Sequence, residues 1–529
     1  MEDLDIIKNI KNPKFFGSDI KSVDIIQTHI SYVALTGKYA YKIKKQVNYG
    51  FLDFSTVEKR KYYCDEEMRL NRRLCPDIYL DVIPITKKNS ILELNGYGEI
   101  VDYAIKMKEF LQQNIMTNLL KQGKIVKEKI EDICDILVKF YNSEGNSKEI
   151  DRYGELEVVK RNICENFEQT EPMIDITIPK NSYEYIKNLS QQFFRKKKDL
   201  FEKRIKHKNI KNCHGDLHSG NIVVTDEKIY IFDCIEFNKR FRYCDTASDI
   251  GFLAMDLDFM NYPYLSSYLI KKYIEKSKDI GILEMLNFYK SYRAYVRGKV
   301  IGFKLNDSKI SNEKKQDIIN TTKKYFELSE YYAKLFSLDI KNKKPLIFII
   351  GGLTGVGKST FSLKISIDYN AHIINTDIIR KELAGINIFE RHHDEINTGL
   401  YSPEKIDQTY KKAIEKASDF LKNGKNVVLD ATFQKKKYRD LVRTIAKENN
   451  SILITVQCVC AEDMVKKWLK RRIKTNTVSD GRWEIYVNQK KTFEPFSDGE
   501  NYIIADISKN RYKDRIYLFK KIFKMVNDG

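Results

Sequence analysis

The pattern of hydrophobic and polar positions changes along the chain and predicts three kinds of segment. Within residues 25–107, apolar positions recur every second residue in short runs such as 39–44, which is typical of strands with one buried face. From 112 to about 208, and again from Asp233 to about 336, the apolar positions recur with helical spacing. Beyond 345, short and wholly apolar runs precede helical patterns, which predicts a parallel sheet covered on both faces.

The length and the order of these patterns predict the domain organisation. With 529 residues the chain is too long for one core, and we expect two large domains or about three smaller ones. The first is predicted to be an α+β domain over residues 1–340, with a small lobe at about 1–106 and a helical large lobe at about 107–340. A polar linker over 341–344 then leads to an α/β domain over 345–529.

The composition excludes several classes of protein. The 42% hydrophobic and 31% charged residues are those of a globular chain that buries sizeable cores. No apolar run approaches the ~18 residues of a membrane span, and the acidic N-terminus lacks the features of a signal peptide. The nine cysteines follow no metal-ligand or disulfide pattern, so buried thiols in a reducing cytoplasm are expected.

The formal charge of +20 is concentrated in the last third of the chain. Residues from 341 onward carry 36 Lys+Arg against 23 Asp+Glu, a net charge of +13. A basic surface attracts anions in general, including ATP, phosphorylated substrates and nucleic acid. The basic residues are interspersed with acids, however, and solvated helix faces account for most of them.

A polar, turn-rich segment at 211–222 carries the first candidate chemistry. It runs into two short strand-like runs, and the second of these ends at Asp233. Phosphoryl transfer from ATP needs a carboxylate that accepts the substrate hydroxyl proton, and oxygen ligands for magnesium. Asp216 suits the first role, Asn221 five residues later suits a metal ligand, and Asp233 suits the principal metal carboxylate. A structural turn with a capping Asp would not predict an acid at the strand end.

Two lysines lie ahead of this segment on one predicted strand. Lys42 and Lys44 are two residues apart, so their side chains point to the same side of the strand. Such a lysine reaches the α and β phosphates of ATP if a helix carboxylate holds it, and the predicted helix 55–74 offers three acids at 65–67. The alternative is that both lysines lie on a solvated strand surface.

The loop resembles that of the aminoglycoside phosphotransferase and choline kinase group of protein-kinase-like folds, through His214-Gly215-Asp216-Leu217-His218-Ser219-Gly220-Asn221 and the strand end Ile231-Phe232-Asp233. The resemblance covers roughly residues 20–335 and implies a bilobal α+β fold. It implies the following roles: Asp216 as catalytic base, Asn221 and Asp233 as magnesium ligands, Lys42 as the phosphate lysine, Glu67 (or else Glu66) as its partner, Met107 at the adenine hinge and His214 as a brace of the loop.

The chain departs from that group in two places. No glycine-rich loop lies in the first hairpin, so cover for the phosphates would come from backbone amides of 27–31 and the Ser31 hydroxyl. Asp233 is followed three residues later by Glu236, which either adds to the metal site or lies at the surface. His218 either lines the acceptor pocket or fixes the turn. Two further acids are expected to be helix caps and loop anchors: Asp245 and Asp249.

A second motif opens the C-terminal half. The apolar run 346–350 leads into Gly351-Gly352-Leu353-Thr354-Gly355-Val356-Gly357-Lys358-Ser359-Thr360 and then a helical pattern, which is a complete phosphate-loop motif in its expected setting. Backbone amides would bind the ATP phosphates, and we assign them to Gly352, Thr354, Gly355, Val356, Gly357 and Thr360. Lys358 would reach the β and γ phosphates, and the Ser359 hydroxyl would bind magnesium.

The next strand favours phosphoryl transfer over simple nucleotide binding. The run 372–376 ends at Asp377, with Arg380 one turn later, so that an acid and a cation point into the same crevice. The alternative for Asp377 is a helix N-cap.

Two further segments complete the predicted second site. The run 426–429 ends at Asp430, which suits a magnesium position reached through water. Arg471 and Arg472 end a basic helix and are either transition-state cations on a lid or a solvated helix end.

Residues 345–529 resemble the P-loop kinase family that includes gluconate kinase, chloramphenicol phosphotransferase, zeta toxin and polynucleotide 5′-kinase. The segment Asp377-Ile378-Ile379-Arg380 is similar to the base-and-clamp segment of that group, which implies a catalytic role for Asp377 and Arg380. The pairing with the first domain resembles the bacterial proteins described as bifunctional aminoglycoside phosphotransferase/ATP-binding proteins.

Together these observations predict a cytoplasmic phosphotransferase that uses ATP and Mg²⁺, with two separate sites acting on hydroxyls of small molecules and no membrane partner. Two alternatives stay open. The C-terminal domain is a polynucleotide 5′-kinase, as its net charge of +13 favours, or one domain is a nucleotide-binding regulator, for which the missing glycine-rich loop points to the N-terminal domain. The sequence does not identify the acceptor, because acceptor pockets have no fixed motif.

Overall fold

The computed structural model of the protein describes residues 3–50, 52–307, 310–340, 344–390, 398–472, 479–509 and 512–528. Of the predicted linker 341–344, residues 341–343 lie outside the described residues. A six-stranded antiparallel sheet lies in the first half and a five-stranded parallel sheet in the second. This confirms the predicted fold class, which is α+β in the first half and α/β with a phosphate loop in the second.

The antiparallel sheet has the strand order β1-β2-β3-β6-β4-β5. Its strands are β1 Asp24–Gln27, β2 Ser31–Leu35, β3 Tyr39–Lys44, β4 Tyr79–Lys88, β5 Ile91–Leu94 and β6 Glu99–Lys108. Helix α1, Asp3–Ile10, contributes to the core on one face, and helix α2, Val57–Asn71, covers the other face next to β3 and β6. Because β3 is covered on both faces, Lys42 and Lys44 are buried, and the interpretation of a solvated strand surface is wrong.

The rest of the first half is mainly helical, as the apolar spacing predicted. The helices before the loop are α3 Met116–Lys121, α4 Lys127–Ser143, α5 Lys148–Asp151, α6 Leu156–Thr170, α7 Lys180–Lys196 and α8 Lys198–Lys206. The short strands and helix around the loop are β7 Ile210–Asn212, β8 Ile222–Val224, β9 Ile229–Ile231, α9 Lys239–Arg242 and β10 Tyr243–Asp245. The helices after it are α10 Thr246–Phe259, α11 Pro263–Ser277, α12 Ile282–Gly302 and α13 Asn312–Ile340.

The parallel sheet of the second half has the strand order β12-β13-β11-β14-β15. Its strands are β11 Leu346–Gly351, β12 Ala371–Asn375, β13 Asn426–Asp430, β14 Ile452–Val459 and β15 Tyr502–Asp506. The helices are α14 Lys358–Asp368, α15 Thr376–Leu383, α16 Pro403–Lys422, α17 Lys436–Glu448, α18 Glu462–Arg472, α19 Trp483–Thr492 and α20 Tyr512–Asp528. Ile350 and Asn375 both pair with Asp430, so three strands end at the same level, where a ligand would bind.

The two halves share one hydrophobic core. Phe252 of α10 and Tyr332 of α13 belong to the same buried cluster as Phe348 of β11 and Ile365 of α14. Helix α14, which follows the phosphate loop, also packs against α11 of the first half. The phosphate-loop helix is therefore in contact with the helices that support the first candidate site. Within the described residues, no helix combines the length and the apolar character that a membrane crossing requires.

Candidate active sites

Helix α10 holds the loop of the first site through its acidic residues. The carboxylate of Asp249 accepts the backbone amides of His214 at 3.0 Å and Gly215 at 2.9 Å, and Asp256 accepts that of Ser219 at 2.8 Å. Asp249 is therefore a loop anchor, as predicted, and Asp245 caps α10 by accepting the amide of Ala247. Because the loop amides donate to carboxylates on one rigid helix, the backbone of the loop is fixed.

The structure brings together the residues that the loop motif singled out. The Asn221 side-chain amide donates to Asp216 Oδ2 at 3.1 Å and to the Asp216 carbonyl at 3.0 Å. The amide of Phe232, next to Asp233, donates to the Asn221 carbonyl at 3.0 Å. His214 Nε2 contacts the Phe232 carbonyl at 2.9 Å, so this residue braces the loop against the strand end. Asp216 and Asn221 are thus in contact, and the strand end that carries Asp233 is hydrogen-bonded to the same loop.

Lys42 connects the small lobe to this strand end. Its Nζ lies 2.7 Å from Glu67 Oε1 and 2.6 Å from Asp233 Oδ1. Burial opposes the charge of Lys42, but Asp233 and Glu67 raise its pKa well above the usual value. The structure places Glu67, and not Glu66, beside this lysine; Glu66 pairs with Arg69 at the surface.

A second buried pair, whose contact the sequence did not predict, lies beside the first. Lys44 Nζ lies 2.7 Å from Glu67 Oε2 and also contacts Glu236. Burial alone would raise the pKa of Glu67, but Lys42 and Lys44 lower it to about 2. Burial raises the pKa of Glu236. Glu236 is only 7% exposed, so its interpretation as a surface residue is wrong.

The remaining predicted residues of the first site lie in the small lobe. Met107 is buried near the end of β6 and pairs with Ala40 and Tyr79 on the neighbouring strands. The Ser31 hydroxyl is fully buried and has no hydrogen-bond partner among the described residues. The turn before it is closed by Thr28, whose Oγ1 accepts the Ser31 amide at 2.9 Å.

Two basic side chains lie next to Asp216. His218 Nε2 is 3.4 Å from Asp216 Oδ2 and 3.5 Å from Arg297 Nη1. Burial would raise the pKa of Asp216, but His218 and Arg297 lower it, so that the carboxylate is charged. The His218 ring also accepts the Gly220 amide through Nδ1 at 3.0 Å, which fixes the turn. No motif in the sequence marks Arg297, because it lies on α12, far along the chain from the loop that carries Asp216.

In the second site, glycines allow the tight turn of the phosphate loop. Gly352, Gly355 and Gly357 have φ angles of +134°, +80° and +96°, a region that side chains disfavour. A Cβ at Gly352 would lie 2.4 Å from the Cys458 carbonyl oxygen. The amide of Thr354 donates to Gln489 Oε1 of α19 at 2.8 Å, so this helix lies against the loop. Val356 is buried, whereas the side chains of Ser359 and Thr360 are exposed at the start of α14.

The strand ends place a lysine and two acids around this loop. Lys358 Nζ donates to the Leu353 carbonyl at 2.9 Å, and burial lowers its pKa although Asp430 and Asp377 oppose this. Asn375 donates to Asp430 Oδ2 at 2.7 Å. Burial raises the pKa of Asp430, and the nearby Asp377 adds to this, while Lys358 and the Ser359 hydroxyl oppose it. Asp430 and Ser359 therefore lie together, as a shared magnesium ion would require.

Asp377 and Arg380 form the predicted acid–cation pair. Arg380 Nη1 donates to Asp377 Oδ1 at 2.7 Å, and the guanidinium lies over the ring of Tyr401 at 4.6 Å. Burial would raise the pKa of Asp377, but Arg380 and Lys358 lower it. The N-cap of α15 is Asn375, which accepts the Asp377 amide at 2.9 Å. The alternative interpretation of Asp377 as the cap is therefore wrong.

The two arginines at the end of α18 face different parts of the molecule. Arg472 and the phosphate-loop residue Thr354 both lie close to Gly481. A Cβ built on Gly481 would be 3.4 Å from Arg472 Nη1 and 2.1 Å from Thr354 Oγ1. The charge of Arg472 also opposes the protonation of Lys358. Arg471 is exposed. Burial raises the pKa of Tyr264 in α11, and the charge of Arg471 opposes this rise. The structure brings Arg472 to the second site and leaves Arg471 outside it.

The donor chemistry of both clefts fits a magnesium nucleotide. Carboxylate, amide and hydroxyl oxygens are the ligands that Mg²⁺ prefers, and the first cleft offers Asp233 with Asn221, the second Asp430 with Ser359. Because the Asn221 amide nitrogen donates to Asp216, its amide oxygen is left for a cation. Among the residues that the structure describes, no group of three or more His, Cys, Asp and Glu could hold a metal. Mg²⁺ usually has few protein ligands when phosphates and water complete its coordination shell.

Comparison with known proteins supports the second half of this description. Residues 347–496 match a family of AAA domains, which together with the strand order confirms the P-loop domain. The chain is 27% identical to an uncharacterized protein of Mycobacterium tuberculosis over 468 residues, 88% of this chain and 89% of that protein. An uncharacterized protein of Mycobacterium bovis gives the same figures.

Solved structures similar to each half include kinases. A choline kinase from Cryptosporidium parvum is 12% identical and covers 64% of this chain and 96% of its own, with a TM-score of 0.39. A gluconokinase from Sinorhizobium meliloti is 16% identical and covers 35% of this chain and 94% of its own, with a TM-score of 0.24.

Proposed function

We propose that the protein is an ATP-dependent phosphotransferase with two separate sites, each of which transfers the γ-phosphate of ATP to a hydroxyl of a small molecule. The observation that carries this proposal is an acid in contact with a second polar group next to a phosphate-loop or strand lysine in each half. In the first half the Asn221 amide donates to Asp216 at 3.1 Å, and Lys42 lies 2.6 Å from Asp233. In the second half Arg380 donates to Asp377 at 2.7 Å, and Lys358 donates to the Leu353 carbonyl of the phosphate loop.

In the first site, Asp216 accepts the proton of the acceptor hydroxyl as the oxygen bonds to the γ-phosphorus and the bond to the ADP oxygen breaks. Lys42, held by Glu67, binds the phosphates of ATP. Asn221 and Asp233 would hold magnesium, which neutralises phosphate charge when it is bound. The assembled Lys42–Glu67–Asp233 contacts favour catalysis over a purely regulatory role for this half.

In the second site, the phosphate loop and Lys358 bind the phosphates, and Ser359 and Asp430 would hold magnesium. Asp377 accepts the proton of the acceptor hydroxyl. Arg380 Nη1 donates to Asp377 Oδ1 at 2.7 Å, which keeps this carboxylate charged and fixes its orientation. Arg472 is placed to stabilise charge on the transferred phosphoryl group. Proximity and electrostatic stabilisation then supply most of the catalysis.

The test uses the full chain with γ-labelled ATP and an extract of cell metabolites and RNA. Asp216→Asn should remove one labelled product, with a loss of roughly 10²–10⁴-fold, and leave the other unchanged. Lys358→Ala should do the reverse. Asp226→Asn and Lys422→Ala remove the same charges from exposed positions outside the clefts and should change neither product. If either site variant removes both products equally, the sites are not independent.

A polynucleotide 5′-end is the second candidate acceptor for the C-terminal site. The net charge of +13 from residue 341 onward favours it. Nucleic-acid binding should then weaken steeply with salt, because counterions are released from the phosphates. Transfer to 5′-hydroxyl oligonucleotides that falls with salt and is lost in Lys358→Ala would support this acceptor, and no transfer would reject it.

A further inference from the structure

Arg297 differs from the buried arginines of the first half in how its guanidinium is satisfied. Arg60 pairs with Asp102 at 2.8 Å, and Arg293, which has no carboxylate partner among the described residues, donates to the Gly215 carbonyl at 3.0 Å. Arg297 is partly exposed, has no carboxylate within 4.0 Å among the described residues, and its Nε has no hydrogen-bond partner there. A partly buried cation without such partners is placed to receive an anion.

The surroundings of Arg297 place that anion next to the reacting hydroxyl. Nη1 of Arg297 is 3.5 Å from His218 Nε2, which in turn is 3.4 Å from Asp216 Oδ2. The charge of Asp256 contributes to raising the pKa of Arg297 from a distance. The Asp256 carboxylate itself accepts the backbone amide of Ser219 at 2.8 Å. A hydroxyl that gives its proton to Asp216 therefore has Arg297 within reach of its neighbouring substituents.

Arg297 is separate from the part of the cleft assigned to ATP. Lys42 Nζ contacts Glu67 at 2.7 Å and Asp233 at 2.6 Å. Arg297 Nη1 instead lies 3.5 Å from His218 Nε2. The two cations contact different side chains, so we assign Lys42 to the ATP phosphates and Arg297 to the acceptor.

We propose that Arg297 binds an acidic group of the acceptor, and that the first site phosphorylates hydroxyl compounds which carry a carboxylate or a phosphate near the reacting hydroxyl. This inference rests on the proposed function of that site. The planar guanidinium suits both kinds of anion because it donates two parallel hydrogen bonds. A polycationic aminoglycoside or a choline would instead place a positive charge against Arg297, so the acceptor differs from the molecules after which the resembling group is named.

The reaction keeps the acidic group unchanged. The acceptor hydroxyl oxygen forms a bond to the γ-phosphorus, the bond between that phosphorus and the bridging oxygen of ADP breaks, and the hydroxyl proton passes to Asp216 and then to water. The products are ADP and a phosphate ester that still carries the original anion. Arg297 binds this anion before and after transfer, so it determines specificity and leaves the chemical step to Asp216.

The first experiment compares matched acceptors in a Lys358→Ala background, in which the second site is silenced. The pairs are glycerol with glycerate and ribose with ribose 5-phosphate, and choline serves as a cationic acceptor. The acidic member of at least one pair should have a kcat/KM roughly 10–100-fold above its neutral partner, and the two pairs distinguish carboxylate from phosphate. Preference for a neutral or cationic acceptor would overturn the proposal.

Substitution of Arg297 then assigns the preference to this side chain. Arg297→Gln should remove the preference by raising KM for the acidic acceptor, with KM for ATP unchanged, and Arg297→Lys should retain part of it. Lys299→Gln removes a positive charge from the same helix at a position hydrogen-bonded to Gln169, and should behave as the unsubstituted chain. An equal fall of kcat on all acceptors in Arg297→Gln would show that Arg297 acts on the transferred phosphate, against the proposal.

A binding measurement separates this inference from the proposed function. Inorganic sulfate and acetate are added to the full chain with magnesium and ADP, and Tm is recorded. At least one anion should raise the Tm of the unsubstituted chain and of Lys299→Gln, but not that of Arg297→Gln. Identical shifts in all three would overturn the anion site even if the enzyme is active. Anion binding at Arg297 together with activity that Asp216→Asn leaves intact would instead reject the proposed function.

Discussion

Tyr331 of α13 donates its hydroxyl to Asp368 Oδ2 at 2.7 Å and so ties the first half of the chain to the last turn of the phosphate-loop helix. Asn287 of α12 donates to the carbonyl of the same aspartate at 2.9 Å. These polar contacts lie beside the hydrophobic cluster that both halves share. The junction therefore resembles the interior of one domain more than a contact between two.

One cooperative unfolding transition should follow from this junction. Trp468 and Trp483, the two tryptophans of the chain, both lie in the second half, so their fluorescence reports on that half while circular dichroism reports on the whole. The two signals should change together in denaturant. Tyr331→Phe should lower the free energy of unfolding by about 1 kcal/mol, because Asp368 loses one donor while Lys364 still contacts its carboxylate. Tyr97→Phe, at a residue that is 89% exposed, should have little effect. Two separate transitions would contradict the shared core.

Glu67→Gln should reduce the loss of stability in acid. The pKa of Glu67 is lowered to about 2 in the folded protein, whereas the ordinary value for a glutamate is 4.5. A lowered folded pKa gives stability that is present above the unfolded pKa and is lost as the pH falls through the folded one. Unfolding in urea at a series of pH values between about 4.5 and 2 checks this. The slope of stability against pH should be smaller in Glu67→Gln, while Glu66→Gln, at an exposed ion pair, should change it less. Equal slopes in the original chain and in Glu67→Gln would refute the assignment.

Gly352→Ala should abolish nucleotide binding at the second site. The added Cβ would lie 2.4 Å from the Cys458 carbonyl oxygen at a φ of +134°, so the phosphate loop has to move. Gly424→Ala is the matched control, since its φ is +68° but no atom lies within 4 Å of the new Cβ. We expect the control to cost about 1–2 kcal/mol of stability and to bind nucleotide normally. Binding of a fluorescent ATP analogue in a Lys42→Ala chain, whose first site has lost its phosphate-binding lysine, measures the effect. Normal binding by Gly352→Ala would contradict the described loop.

Asn375→Ala should move the acid limb of the second activity to higher pH. Burial raises the pKa of Asp430, and the hydrogen bond from Asn375 opposes this. Removing that donor raises the pKa further, so Asp430 is protonated and loses magnesium at a higher pH. The profile of kcat/KM against pH reports the change. Asn375 also caps α15, so Ser402→Ala, which removes the cap of α16, controls for helix capping and should leave the profile unchanged. An unshifted profile would exclude Asp430 as the titrating group.

Local patterns were sufficient to predict much of the fold and to propose candidate residues for both sites. The loop around Asp216 and the phosphate loop carry their chemistry within a few consecutive residues, so spacing alone indicates it. Asp430 was found because an apolar run that ends in an acid marks the carboxyl edge of a parallel sheet. Glu67 could be chosen over Glu66 only with help from the resemblance, since neighbouring acids on a helix differ by rotation alone.

The contacts that sequence reasoning missed join residues far apart along the chain. Lys44 and Glu236 are separated by 192 positions and meet only because both are enclosed between the lobes. Arg297 comes to Asp216 by the packing of α12, and no short motif marks that. The shared core could not be predicted from the sequence, because an apolar helix face does not show which half of the chain will cover it. A fold of this kind fixes its domain contacts through packing that no local pattern encodes.

The cluster that joins the two halves also couples the two candidate sites through folding. Because both sites belong to one chain, they are made in a one-to-one ratio, and degradation of the chain removes both at once. A lesion in α13 that opens the junction should therefore act on reactions at clefts that it does not touch. Selection on either chemistry then constrains the interior of the whole chain.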